Sequence, residues 1–304
     1  MADDTSSSGD AVEYVFYHYN PSMAAAVIFI VIFGFSAIFH TYQLIRNRTW
    51  YFIPFVIGCL FEAIGYIGRA LSAQEAPDFT QNPYIIQSLL LLLGPAFFAA
   101  SIYMILARLI RLLEAENYSI IKTKWLTSVF VLGDVLSFFT QSGGGGMLAT
   151  SKDQDGVKRG ELIIVGGLVI QVIFFGFFVI VTFVFHRRLS AMPTRKSMSL
   201  VTPWKSLLYV LYITSTLILI RSVYRIIEYV MGSDGELLAK EVYLYIFDGL
   251  LMAGVVLLFN WFHPSRVINR VKDLDRVSSM EVTGEGYSMP ETGPRSYEPL
   301  GHTK

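Results

Sequence analysis

The stretch VLYITSTLILIRSVYRIIEYV, residues 210–230, decides the fold, because an uncharged run over 210–220 leads straight into Arg221, Arg225 and Glu228. A segment this apolar crosses lipid only if its backbone is paired internally, as in a helix. Spacings of four and seven then put all three ionisable residues on one helix face. Each would cost roughly 2.5–3.5 kcal/mol at the helix centre, less towards the ends, unless it faces a partner or water. Arg225 and Glu228 have the alternative of snorkelling to the interface, whereas Arg221 lies too deep for that. Partners are therefore expected in the other apolar segments. These contain Glu62 and Arg69 in FEAIGYIGR, Asp134 in VLGDVLSFF and Asp248 in YIFDGLLM.

Composition agrees with a membrane setting. With 53% hydrophobic and 16% charged residues and a mean hydropathy of +0.50, the chain has too little polar surface for an ordinary soluble domain. The single cysteine, Cys59, excludes an intrachain disulfide. The start, MADDTSSSGDAVEY, is acidic and the first apolar run is too long for a signal-peptide core, so no cleaved leader is expected.

Seven apolar segments of spanning length read at about 22–45, 51–72, 84–110, 124–142, 161–185, 205–231 and 242–263. The expected fold is an all-α, polytopic seven-helix transmembrane bundle. Alternate connections 46–50, 108–124 and 186–205 carry eleven Lys and Arg, against four in the opposite set. The positive-inside rule then puts the N-terminus outside and the C-terminus in the cytoplasm. The expected organisation is a short extracellular segment over 1–20, the helical domain over 21–263, an amphipathic juxtamembrane segment over 264–277 and a disordered cytoplasmic tail over 278–304. The amphipathic reading rests on apolar residues at Val267, Ile268, Val271, Leu274 and Val277 with basic residues between them. The tail reading rests on Ser, Gly, Pro and Glu content.

Three local features stand out. Pro95, in the third segment, removes a backbone donor and should bend its helix, while Ala96 and Ala100 allow close packing. Four consecutive glycines, Gly143–Gly146, predict that the fourth segment ends there and that 143–160 is a flexible outer loop, either a lid or a linker. The fifth segment has only Gln171 as an interior polar group and reads as lipid-facing or packing surface.

The motifs EAIGYIGR, GPAFFAASIYMILARLI, GDVLSFFTQSGGGGM and RSVYRIIEYVMGSDGELLAKEVYLYIFDGLLM occur in that order, each beginning in a membrane segment. Together they resemble the fungal lipid-translocating exporter family, the RTA-like proteins named for resistance to aminocholesterol, over residues 20–265. The resemblance implies seven spans in a fungal membrane. For some members it implies export or flipping of sphingoid long-chain bases, or resistance to lipophilic toxins. The residues matching the family pattern are Glu62, Gly65, Tyr66, Arg69, Pro95, Asp134, Gln141, Arg221, Tyr224, Arg225, Glu228 and Asp248. Lys240 stands where the family would have a histidine, so it inherits no role.

The expected function is a transporter or flippase for lipids or lipophilic amines in the plasma membrane, with lipids or lipophilic small molecules as its partners and no nucleic acid. Its substrate-binding candidates are Glu62, Tyr66, Arg69, Gln87, Asp134, Gln141, Arg221, Tyr224, Arg225, Glu228 and Asp248. Three bases, Arg69, Arg221 and Arg225, face four acids, Glu62, Asp134, Glu228 and Asp248, so pairing leaves one carboxylate for a cationic amine, and Asp134 is the expected one. Depth predicts the pairing: Glu62 lies level with Arg221, Arg69 with Glu228, and Asp248 with Arg225, at 1.5 Å per residue from the outer helix ends.

Two other classes compete. Seven spans and a basic third inner loop suit a receptor. An intramembrane zinc hydrolase would need His40, His186 and His263 to converge, although they lack paired HxxxH spacing. No lysine inside the seventh segment is available for a retinal Schiff base, and nothing resembles a P-loop. A non-enzyme without cofactor or metal is expected, with transport facilitated, gradient-driven or scrambling.

Overall fold

The computed structural model describes residues 19–77, 79–151, 153–199, 204–231 and 240–269. Among them there are helices and connections but no strand. The helices are α1 (Met23–Asn47), α2 (Ile53–Glu75), α3 (Gln81–Leu112), α4 (Thr123–Thr150), α5 (Gln154–Ala191), the short α6 (Arg195–Ser199), α7 (Trp204–Met231), α8 (Glu241–Leu244) and α9 (Leu251–Trp261). A π-helical turn, Tyr245–Leu250, joins α8 to α9 without a break.

Six described segments are long and apolar enough to cross a membrane: Met23–Asn47, Trp50–Glu75, Gln81–Leu112, Gln154–Ala191, Trp204–Met231 and Glu241–Asn269. The protein is an integral membrane protein built as a helical bundle. The remaining long helix, α4, has 28 residues but is diluted by Asp134, Ser137, Thr140, Gln141, Ser142 and four glycines. Its place is nonetheless inside the bundle, packed between α3 and α5.

Helix α1 packs on α2 and α9, α2 on α3, α3 on α4 and α7, α4 on α5, α5 on α7, and α7 on α9. Helix α3 thus stands between α2 and α7, and it buries Phe98, Ile102, Tyr103, Ile105 and Leu106 completely. Outward faces are apolar, as lipid contact requires: Ile28, Val31, Phe35 and Ile38 on α1, and Leu162, Ile173 and Ile180 on α5, are exposed.

The glycine run is not a loop. Helix α4 continues through Gly143–Gly146 to Thr150, and α5 begins at Gln154. The reason is close approach of α5. A Cβ built on Gly144 would lie 2.8 Å from the Gly160 carbonyl oxygen, and one on Gly160 would lie 3.0 Å from that of Gly144. Small residues facing each other let two backbones touch, which is how helices associate where no hydrophobic drive separates lipid from side chain. Two turns further along the seam, the Ser137 hydroxyl donates to the Gly167 carbonyl at 2.7 Å.

The start of the expected amphipathic segment is helical over 265–269, with Val267 and Ile268 buried in the core and Asn269 donating to the Asn47 carbonyl at 2.7 Å. The rest of that segment, the tail 278–304 and nearly all of 1–20 lie outside the described residues.

Candidate functional site

Pro95 has no N–H, so the helical bond from residue 95 to the carbonyl of Leu91 cannot form. That carbonyl is instead the acceptor for Arg221 Nη2, at 2.6 Å. Arg221 Nε donates to Asp248 Oδ1. Both side chains are almost wholly buried, so each is the other's solvation. Asp248 reaches this position from the π-helical turn, whose added residue shifts the side chains around it; such turns frequently occur at functional sites.

Glu62 lies beside this pair but does not join it. Its Oε1 presses against α3, where a Cβ on Gly94 would come within 2.6 Å of it. Among the described residues neither Glu62 oxygen has a hydrogen-bond partner, although Asp248 and Arg221 are its charged neighbours. The Glu62–Arg221 pairing expected from depth is therefore replaced by Arg221–Asp248. The depths were compatible, but α3 intervenes between α2 and α7, and Arg221 uses its fork on the α3 carbonyl and on Asp248.

The other two expected rungs differ as well. Arg69 pairs with Glu241 at 2.8 Å and also donates to the hydroxyls of Tyr19 at 2.8 Å and Tyr245 at 3.0 Å. Glu241 further accepts from the Ser22 backbone N–H at 2.8 Å, so one carboxylate ties the entry of α1 to α2 and α8. Glu228 pairs within its own helix with Arg225, at 2.7 Å. Asp248, expected level with Arg225, goes to Arg221.

Among the described residues Asp134 has no basic partner. It is 5% exposed, its oxygens make no hydrogen bond of normal geometry, and the Tyr103 hydroxyl is its polar neighbour. Tyr103 is itself held among Phe130 and Phe178, with ring centroids 5.3 and 4.6 Å away. Towards the C-terminus along the same face of α4, Phe138 and Gln141 line a cavity of about 330 Å³. Its walls come from the N-terminal halves of α3 and α5 and the C-terminal halves of α4 and α7, among them Ser88, Leu92, Gly145, Gly146, Ile164 and Arg225. The volume is in the range of small-molecule sites, which are typically apolar with a few placed polar groups.

A family model described as RTA1 like protein matches residues 55–271, a range that contains all four motifs. The chain belongs to the RTA1-like family. Among its relatives in Saccharomyces cerevisiae are protoporphyrin uptake protein 1, 35% identical over 81% of this chain and 91% of its own, and protein RTA1, 35% identical over 93% and 95%. The sphingoid long-chain base transporter RSB1 is 26% identical over 91% of this chain and 78% of its own. No solved structure matches the chain.

In this RTA1-like protein the sequence-derived candidates divide into distinct places. Gln141 and Arg225 line the cavity, with Asp134 one turn beneath Phe138. Arg221, Asp248 and Glu62 form the central cluster, and Tyr66 adjoins it, stacked on Phe29 at 5.0 Å. Tyr224 stacks on Phe247 at 5.1 Å. Arg69 belongs to the tie with Glu241, and Gln87 lies where α3 meets α2, its backbone nitrogen 3.1 Å from a Cβ built on Gly68.

Two further residues belong to these sites. Glu241 immediately precedes the seventh apolar segment, and an acid in the first turn of a helix, opposite an arginine needing a partner, is the signal that finds it. Gln171 received no role, but its Oε1 accepts from Gln141 Nε2 at 3.4 Å, joining α5 to the cavity wall. The three histidines do not converge: His40 and His263 have ring centroids 6.2 Å apart, whereas His186 sits by the Tyr212 hydroxyl at 3.4 Å. Among the described residues no three His, Cys, Asp or Glu are placed to hold a metal.

Proposed function

We propose that this protein translocates lipids or lipophilic amphiphiles across the plasma membrane, and that the cavity between α3, α4, α5 and α7 receives the substrate. The observation carrying this reading is the cavity itself, apolar over most of its wall and provided with Gln141, Ser142, Ser88 and Arg225. Two relatives, the sphingoid long-chain base transporter RSB1 and the probable lipid transporter atnI of Emericella nidulans, support the substrate class. A sphingoid-type amine would take Asp134 as its counter-ion, because of the two buried acids without a basic partner among the described residues, Glu62 and Asp134, it is the one beside the cavity-lining face of α4. Export of such a substrate would account for resistance to lipophilic toxins.

The test fills the cavity without disturbing its walls. A Cβ on Gly145 would meet nothing within 4 Å, so a leucine there has room to enter the cavity and also suits a helix better than glycine. Gly145→Leu is expected to leave the amount of folded protein unchanged and to reduce efflux of a labelled sphingoid base to the level of cells lacking the protein. Undiminished efflux would show that the substrate goes elsewhere. Failure of the unsubstituted protein to move any labelled amphiphile would favour a receptor.

We further propose seven spans, counting α4 and treating α8, the π turn and α9 as one, with the N-terminus outside. Trp50, Trp125 and Trp261 are 60%, 56% and 81% exposed, at the helix ends adjoining the basic connections, as an inner aromatic belt would be. The sequons at Asn47 and Asn117 then face the cytoplasm and are expected to stay unglycosylated. A glycosidase-sensitive gel shift that Asn117→Gln abolishes would reverse the orientation.

A further inference from the structure

Resting on that reading of the cavity, we propose that its outer end is a binding site for carboxylate-headed, single-chain amphiphiles, a substrate class distinct from lipophilic amines. Arg225 is the charged residue in the described lining, and no carboxylate shares the wall with it. Its side chain is 12% exposed and held in place on both sides: Nη1 donates to Glu228 at 2.7 Å, and the guanidinium lies over the Tyr229 ring at 5.4 Å. With the fork so fixed, Nε remains buried without a partner.

Two more polar atoms of lining residues are in the same condition, Ser142 Oγ and Gln141 Oε1. The Gln141 amide nitrogen is already committed to Ser137 and Gln171. That end therefore holds two buried donors that are not otherwise paired, the Arg225 Nε–H and the Ser142 hydroxyl, beside a guanidinium charge. Oriented donors with a cation are what a carboxylate needs, and hydrogen bonds to a charged group are the stronger kind. An ammonium head would meet the opposite: like charge from Arg225 and one amide oxygen. The apolar remainder of the cavity, Leu89, Leu92, Phe138 and Ile164, accommodates the first part of an alkyl chain.

Glu228 tunes this site. It is not in the lining, but as the Arg225 counter-ion it opposes a second carboxylate. Glu228→Gln is therefore expected to tighten carboxylate binding.

The test measures saturable binding of radiolabelled laurate, and separately of dodecylamine, to the full chain in neutral phosphatidylcholine nanodiscs, with empty discs as reference. Laurate is expected to bind saturably. The double variant Arg225→Gln/Glu228→Gln, which removes both charges and leaves no buried ion alone, is expected to weaken laurate roughly tenfold or more while sparing dodecylamine. Arg225→Lys keeps a charge for Glu228 but lacks the Nε–H, and should weaken laurate in the same direction if the double variant fails to fold. Absence of saturable laurate binding, or variants binding laurate as the original does, would overturn the proposal. Gly145→Leu separates the two readings. If it abolishes laurate binding while the arginine variants do not, the cavity stands and the carboxylate site falls; if it changes neither ligand, the cavity reading falls with it.

Discussion

Replacing Arg221 with alanine is expected to be among the most damaging single changes in this protein, with a loss of about 3–5 kcal/mol, because it leaves Asp248 as a buried charge without its partner. It also strips the Leu91 carbonyl of its donor. The second effect has its own signature. Pro95→Ala restores an N–H to residue 95, which can close the helical bond to that carbonyl. The substitution should therefore stabilise the Arg221→Ala protein more than it stabilises the original, by about 1 kcal/mol, the size of one hydrogen bond. Thermal unfolding of the four proteins in detergent gives this coupling directly. Equal effects of Pro95→Ala in both backgrounds would mean that the carbonyl does not need Arg221. Asp248→Asn in the Arg221→Ala background should recover another part, since a neutral amide is easier to bury than a lone carboxylate.

Adjacent glycines are expected to respond to alanine with opposite signs. A Cβ on Gly143 meets nothing within 4 Å, whereas one on Gly144 would be 2.8 Å from the Gly160 carbonyl oxygen and 2.9 Å from the Ile164 backbone nitrogen. Both positions are helical, so each substitution gains up to about 1 kcal/mol of helix propensity. At Gly143 that gain stands alone and the melting temperature should rise. At Gly144 the backbone atoms opposite cannot move without separating α4 from α5, and overpacking of about 1–3 kcal/mol should outweigh it. Larger residues at Gly144 or Gly160 should prevent recovery of folded protein. Equal behaviour at 143 and 144 would show that the α4–α5 seam is looser than the distances imply.

These two cases mark where reading along the chain stops being sufficient. The apolar segments were legible because burying backbone and side chains in lipid is decided residue by residue, and a run of about 20 suffices. The family was equally legible, since the motifs around Glu62, Pro95, Asp134 and Arg221 are contiguous strings. Pro95 announced an unsatisfied carbonyl at Leu91 by covalent structure alone.

The glycine run shows the limit from one side. Local propensity alone ends α4 at Gly143, but the gain from bringing Gly144 against Gly160 exists only once α5 has folded back. The charges show it from the other. Counting four acids against three bases left Asp134 over, but Glu241 takes Arg69, so Glu62 as well as Asp134 is without a basic partner among the described residues. By itself the sequence determined which segments are long and apolar enough to span a membrane, and that the arginines within them require partners. Which partner each one took was decided by the tertiary structure, because depth is a property of one helix and contact is a property of two. Helix α3 lies between Glu62 and the helix carrying Arg221, and the π turn brings Asp248 to that arginine instead.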